Sequence, residues 1–144
     1  ESLYSLDKQN NIKVVRSNFS DIKIIKVLGD KLFFRASIYG TDLNIFSISG
    51  ETERIRQYSH FNLEKKVNIN PVEIGENIFW FICQNNQTDL YLTTNQKIEM
   101  KLILRNIAHS NQHQEKNYFI KDNKLFVLAA SIDSKGANQI WKIE

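Results

Sequence analysis

A single cysteine, Cys83, excludes an internal disulfide and any zinc site built from several cysteines. With one proline and five glycines in 144 residues, the chain has no collagen-like, low-complexity or linker-like stretch. Long hydrophobic runs are missing as well. The longest, Ile78-Phe79-Trp80-Phe81-Ile82-Cys83, is strand-sized and far below the ~18 residues of a membrane span. Nor does one sign of charge dominate: 19 basic and 16 acidic residues are interspersed, and a net +3 is too weak for a nucleic-acid footprint. The glycines are too dispersed to cradle a phosphate, and no Gly-x-Ser-x-Gly elbow exists for a nucleophile. What is present is apolar, 42% hydrophobic and 11% aromatic against 24% charged, which describes one globular domain.

An internal repeat organises that material. Gly29-Asp30-Lys31-Leu32-Phe33-Phe34, Gly75-Glu76-Asn77-Ile78-Phe79-Trp80 and Asp122-Asn123-Lys124-Leu125-Phe126-Val127 each join a turn former to an apolar run. A second motif, a polar residue before an aliphatic and an aromatic, recurs at Ser2-Leu3-Tyr4, Asn44-Ile45-Phe46, Asp89-Leu90-Tyr91 and Gln139-Ile140-Trp141. Both motifs keep a period of ~46 residues, the size of a four-stranded unit. Within a period the pattern is strand throughout. Residues 22–27 are rich in β-branched side chains, while 52–56 and 97–102 alternate polar with apolar. Alanine is scarce and every glycine falls between expected strands. Each period therefore holds four strands, a to d, and four antiparallel strands per ~40–50 residues is the arithmetic of a propeller blade. A β-sandwich or barrel has similar strand spacing without requiring the period.

Residues 29–52, GDKLFFRASIYGTDLNIFSISGET, resemble the bacterial β-propeller repeats with an LYF…G-x-ELW-x-x-DGT consensus. The match rests on Leu32-Phe33-Phe34, Gly40-Thr41, Asn44-Ile45-Phe46 and Gly50-Glu51-Thr52, with weaker copies in residues 75–91 and 124–141. The acidic-Leu-Trp signature is nowhere intact. The resemblance implies a secreted or cell-envelope protein with a binding role.

The expected fold is all-β, an arc of propeller blades over residues 1–144. Strands c–d of a first blade occupy 1–16, full blades 21–60 and 68–105, and strands a–c of a last blade 117–144. Strand c then stands at both ends, as in an excerpt of a longer array whose neighbours are further repeats of the same chain. The alternative is a chain that closes its ring by self-association. Tight a–b turns share one face of such an array with the c–d turns. The longer connections, residues 38–42, 58–67, 83–88, 106–117 and 130–138, share the other, and rigid scaffolds carry function on loops.

Candidate chemistry is sparse. His109 and His113 are four residues apart and His60 lies in the equivalent loop one blade earlier, but no helical pattern converges them on a metal. Asp42 and Asp89 both follow Thr, which fits the same turn-capping task in each blade. Cys83 ends an apolar run and reads as a buried, inert thiol. Phe33, Phe34, Phe79, Trp80, Phe81, Tyr91, Phe126 and Trp141 recur at repeat positions and read as core. The aromatics left over are Tyr39, Tyr58 and Phe61. With His60, Lys65 and Lys66, and with Arg35 and Arg56 nearby, they make a polar-aromatic binding surface. The expected role is a non-catalytic binding or scaffold segment, without a cofactor, offering this face to a protein or glycan. The alternatives are a propeller attached to a hydrolase-type enzyme whose catalytic residues lie elsewhere, and a lectin assembled from several chains.

Overall fold

The computed structural model describes residues 2–6, 8–16, 18–107, 117–130 and 138–143. Those residues form curled β-sheets and contain no helix. Among the described residues no helix is therefore long and apolar enough to cross a membrane. The chain divides into two compact units, Glu1–Lys65 and Lys66–Glu144.

The first unit opens with a hairpin of β1 (Leu3–Leu6) and β2 (Ile12–Arg16), antiparallel with Tyr4 opposite Val14 and Ser5 opposite Lys13. A four-stranded meander follows: β3 (Phe19–Leu28), β4 (Lys31–Ile38), β5 (Leu43–Ser49) and β6 (Ile55–Gln57), side by side in chain order. Gly29 enables the two-residue β3–β4 turn, since its φ of 57° lies where a Cβ is unfavourable. Alternation then sends Phe34 and Ala36 to one face, where they form a core with Phe19 and Phe46. Phe19 meets Phe34 edge-on at 5.4 Å, and Leu3 of β1 packs on the same cluster. Phe33, on the other face, is fully buried and meets Tyr58 edge-on at 5.2 Å.

The second unit contains a second meander in the same order: β7 (Asn68–Ile74), β8 (Asn77–Gln84), β9 (Gln87–Thr94) and β10 (Lys101–Ile107). It is followed by β11 (Tyr118–Lys121), β12 (Lys124–Ala130) and β13 (Asn138–Ile143), with β12 in the middle of the three. These groups are not separate sheets: Ile107 of β10 pairs with Ala129 of β12, making one seven-stranded sheet. Phe79 and Phe81 of β8 share a core with Leu125, Val127 and Ala129 of β12, and Phe81 stacks on Tyr118 at 4.6 Å. The one proline, Pro71, lies in the edge strand β7, where a missing N–H is tolerated.

Several local expectations change. The connection expected over residues 83–88 is a two-residue turn, because Asn85 and Asn86 adopt φ of 52° and 58° and let β8 and β9 run to its edges. Residues 97–100 are not strand. The Lys97 amide donates to Thr94 Oγ1 at 3.0 Å, folding a turn before β10 begins. Likewise β6 starts only at Ile55, since Glu53 has a φ of 52° that breaks an extended run. Cys83 is half-buried rather than buried, and Trp141 keeps 37% of its surface exposed. His109, His113 and most of the connections around 106–117 and 130–138 lie outside the described residues.

Candidate binding site

At the end of the first unit opposite the Gly29-Asp30 turn, β4 and β5 are joined by residues 39–42. The Thr41 amide donates to the Ile38 carbonyl at 3.0 Å, and Thr41 Oγ1 donates to the same oxygen at 2.6 Å. The two residues inside this turn, Tyr39 and Gly40, have φ of 52° and 72°. Gly40 accepts that geometry freely; a tyrosine does not, since its Cβ crowds the backbone there. The Tyr39 amide donates to the Asn18 carbonyl at 3.0 Å, which holds the turn in place. The Tyr39 side chain is 82% exposed, the largest exposure of any bulky hydrophobic residue described.

Beside the turn runs residues 58–65, an irregular continuation of β6. The Tyr58 amide donates to the Ile45 carbonyl at 2.8 Å and the Leu63 amide to the Leu43 carbonyl at 3.0 Å. Between them Ser59 substitutes for the backbone: the Ile45 amide donates to Ser59 Oγ at 2.8 Å, and that hydroxyl donates to Asn44 Oδ1 at 3.0 Å. Arg35 reaches across from β4 and donates to the Lys65 carbonyl at 2.7 Å. The segment is therefore pinned along its length.

Turn and segment enclose an open cleft of ≈ 480 Å³. Its walls carry hydroxyl, amide and carboxylate groups, those of Thr41, Asn62, Asp21, Asp42 and Glu64, with Lys65 as the cationic side chain. All three carboxylate residues are exposed to solvent. Among the described residues no three His, Cys, Asp or Glu side chains converge as a metal site.

The expected site residues separate here. Tyr39 stands on the turn beside the cleft, and Lys65 lines it. Tyr58 is 2% exposed and packs on Phe33, so it belongs to the core and offers nothing to a partner. Phe61 is half-buried. His60 is exposed, its Nδ1 lying 3.4 Å from Gln57 Nε2. Lys66 is exposed and opens the second unit. Asp89 accepts from Gln87 Nε2 at 2.9 Å and from the Asn106 amide at 3.1 Å, tying β9 to the end of β10. The phenol of Tyr91 is pushed above its ordinary pKa by burial first and the Asp89 charge second, with Arg105 opposing.

A second, more apolar groove of ≈ 250 Å³ lies at the tight-turn end of the same unit, away from the long connections. Leu3, Val15, Leu32 and Ile48 line it, with Asp30, Ser49 and Glu53 among its polar residues. Lys13 Nζ and Ser5 Oγ both donate to Glu53, at 2.5 and 3.3 Å. The Lys13 hydrogen bond holds the Glu53 carboxyl below the ordinary glutamate range, against a smaller opposing effect of lost hydration. No sequence signal marks this cluster. Ser5 and Lys13 lie in the β1–β2 hairpin and Glu53 in the connection before β6, so only folding brings them together.

No protein-family model and no curated protein matches the chain.

Proposed function

We propose that the chain is a non-catalytic binding segment of propeller type, whose loop end holds a glycan in the cleft beside Tyr39. The observation that carries this reading is Tyr39 itself, an almost fully exposed aromatic on a backbone conformation that disfavours it. Strain of that kind persists where the surroundings over-determine it, and it clusters at ligand clamps. An exposed ring supplies a flat apolar face for a sugar. The adjoining hydroxyl, amide and carboxylate groups supply the donors and acceptors that orient a polyol. Three solvent-exposed carboxylates lack the desolvation that general acid–base work requires, which favours binding over catalysis.

The propeller reading draws support from repeat positions. Phe33, Phe79 and Phe126 each occupy the third position of the second strand in their group, β4, β8 and β12. Each of those strands follows a two-residue turn, Gly29-Asp30, Gly75-Glu76 or Asp122-Asn123, with positive φ at its first residue. Glycan-array screening of the 144-residue chain followed by titration calorimetry tests the function. Binding that Tyr39→Ala and Asp42→Asn each abolish, at unchanged melting temperature, is the expected result. Binding insensitive to both, or a partner that proves to be a protein engaging another surface, overturns it.

A further inference from the structure

The apolar groove at the tight-turn end of the first unit lies between the β1–β2 hairpin and the β3–β6 meander. Leu3 and Val15 line it from the hairpin, Leu32 and Ile48 from the meander. All four are only half-buried, so their apolar surface borders an open space instead of packing shut. That space is ≈ 250 Å³. An apolar cavity of about 150 Å³ takes a benzene ring, so this one suits a single ring or short alkyl chain with a polar head.

The polar groups along the groove decide what that head must be. Besides the Tyr4 phenol, the polar side chains lining it are Ser5, Asp30, Ser49 and Glu53. Both serine protons are committed: Ser49 Oγ donates to Asp30 Oδ2 at 2.8 Å, and Ser5 Oγ to Glu53 Oε1 at 3.3 Å. Two backbone amides are committed as well, that of Gly50 to the Asp30 carbonyl at 2.8 Å and that of Glu53 to the Ser49 carbonyl at 2.9 Å. What these groups still offer is acceptor capacity and negative charge. Lys13 offsets the charge of Glu53 in an ion pair, whereas among the described residues no cation pairs with the exposed Asp30.

We propose that this groove binds a small amphipathic amine, its apolar body against Leu3, Val15, Leu32 and Ile48 and its ammonium on the Asp30 carboxylate. An ammonium brings three donors and a positive charge to a lining that has no cationic side chain and no spare serine proton. Hydrogen bonds between ionised partners are also roughly twice as strong as neutral ones. An anionic head of the same size meets acceptors and is repelled. The site is independent of what the cleft beside Tyr39 binds.

Heteronuclear NMR titration of the full chain is the test, with phenethylamine, phenethyl alcohol and hydrocinnamate as probes that share a ring and differ in the head. About 0.15 M salt screens loose attraction to surface carboxylates. Phenethylamine is expected to shift the amides of Leu3, Ser5, Leu32 and Ser49 and to bind about tenfold tighter than the alcohol. Hydrocinnamate is expected not to bind. Asp30→Asn keeps the size of the side chain and an acceptor for Ser49 while removing the charge. It is expected to bring the amine down to the affinity of the alcohol and to leave the alcohol unmoved. The substituted side chain is exposed, so the fold persists, which circular dichroism checks. A wild type that binds no amine, or binds amine and alcohol equally, overturns the proposal, as does amine binding that Asp30→Asn leaves unweakened. Shifts centred on Asp21, Asp42 and Glu64 would place the amine in the cleft beside Tyr39 and overturn it as well.

Discussion

The backbone amide of Ile45 donates to the side-chain hydroxyl of Ser59 at 2.8 Å, in place of the carbonyl that a regular fourth strand would supply. Ser59 is fully buried, and its hydroxyl in turn donates a hydrogen bond to Asn44 Oδ1. One side chain thus lets the chain leave the sheet after Tyr58, on its way to the cleft wall at residues 62–65, without orphaning a buried N–H.

Ser59→Ala removes that relay and leaves a buried amide without its acceptor. The expected loss of stability is about 1–3 kcal/mol, the cost of an unsatisfied buried polar group. Denaturant titration measures it. An unchanged midpoint would mean that the 58–62 excursion is held by other bonds.

Glu53 fastens the β1–β2 hairpin through Lys13 and Ser5, and its carboxyl is held below the ordinary range chiefly by the Lys13 hydrogen bond. A folded-state value below the unfolded one means that the fastening is complete above the unfolded pKa and lost as pH falls through the folded one. Both groups are substantially solvent-exposed, so the effect is local rather than global. Amide exchange within β1 and β2 is expected to accelerate in acid relative to β4 and β5, and Glu53→Gln to show the faster exchange already at neutral pH. Equal acid sensitivity in wild type and Glu53→Gln would assign the fastening to apolar packing instead.

How far the sequence foretold these relationships depends on the range of the interaction. Gly29, Gly75 and Asp122-Asn123 were legible as turns because a two-residue hairpin demands positive φ, which few residues accept. Strand alternation was legible for the same local reason. The pairing of Lys13 with Glu53 spans 40 residues and has no local signature. The joining of β10 to β12 was equally hidden, since Ile107 and Ala129 look like any apolar strand residues. Tyr39 and Tyr58 stood as equals in the sequence, two tyrosines outside the repeat pattern. Their difference is made across the sheet, where Phe33 meets Tyr58 and nothing covers Tyr39.

That difference has a direct measure in stability. Tyr58→Ala opens a cavity against Phe33 and is expected to cost about 3–5 kcal/mol, as for other buried aromatics. Tyr39→Ala, by contrast, removes a side chain with little packing and should leave the unfolding midpoint almost unmoved. Thermal and urea unfolding of both variants decides the matter. Comparable losses from the two would show that Tyr39 packs in solution.

Replacing Tyr39 with glycine separates strain from contact. A non-glycine residue in the left-handed region costs about 1–2 kcal/mol, which glycine relieves. Glycine also makes the unfolded chain more flexible, and that offsets about 0.5–1 kcal/mol of the gain. The relief wins by a small margin, so Tyr39→Gly is expected to raise stability by up to about 1 kcal/mol. The same substitution removes the exposed ring, and ligand affinity is expected to fall tenfold or more, as for an aromatic anchor. Stability and affinity thus move in opposite directions in one variant, whereas a tyrosine with no part in binding would leave affinity unchanged when lost. Paired denaturant and calorimetric titrations of wild type, Tyr39→Gly and Tyr39→Ala read both quantities. A Tyr39→Gly chain that binds as tightly as wild type would remove Tyr39 from the site and leave the polar cleft to account for recognition.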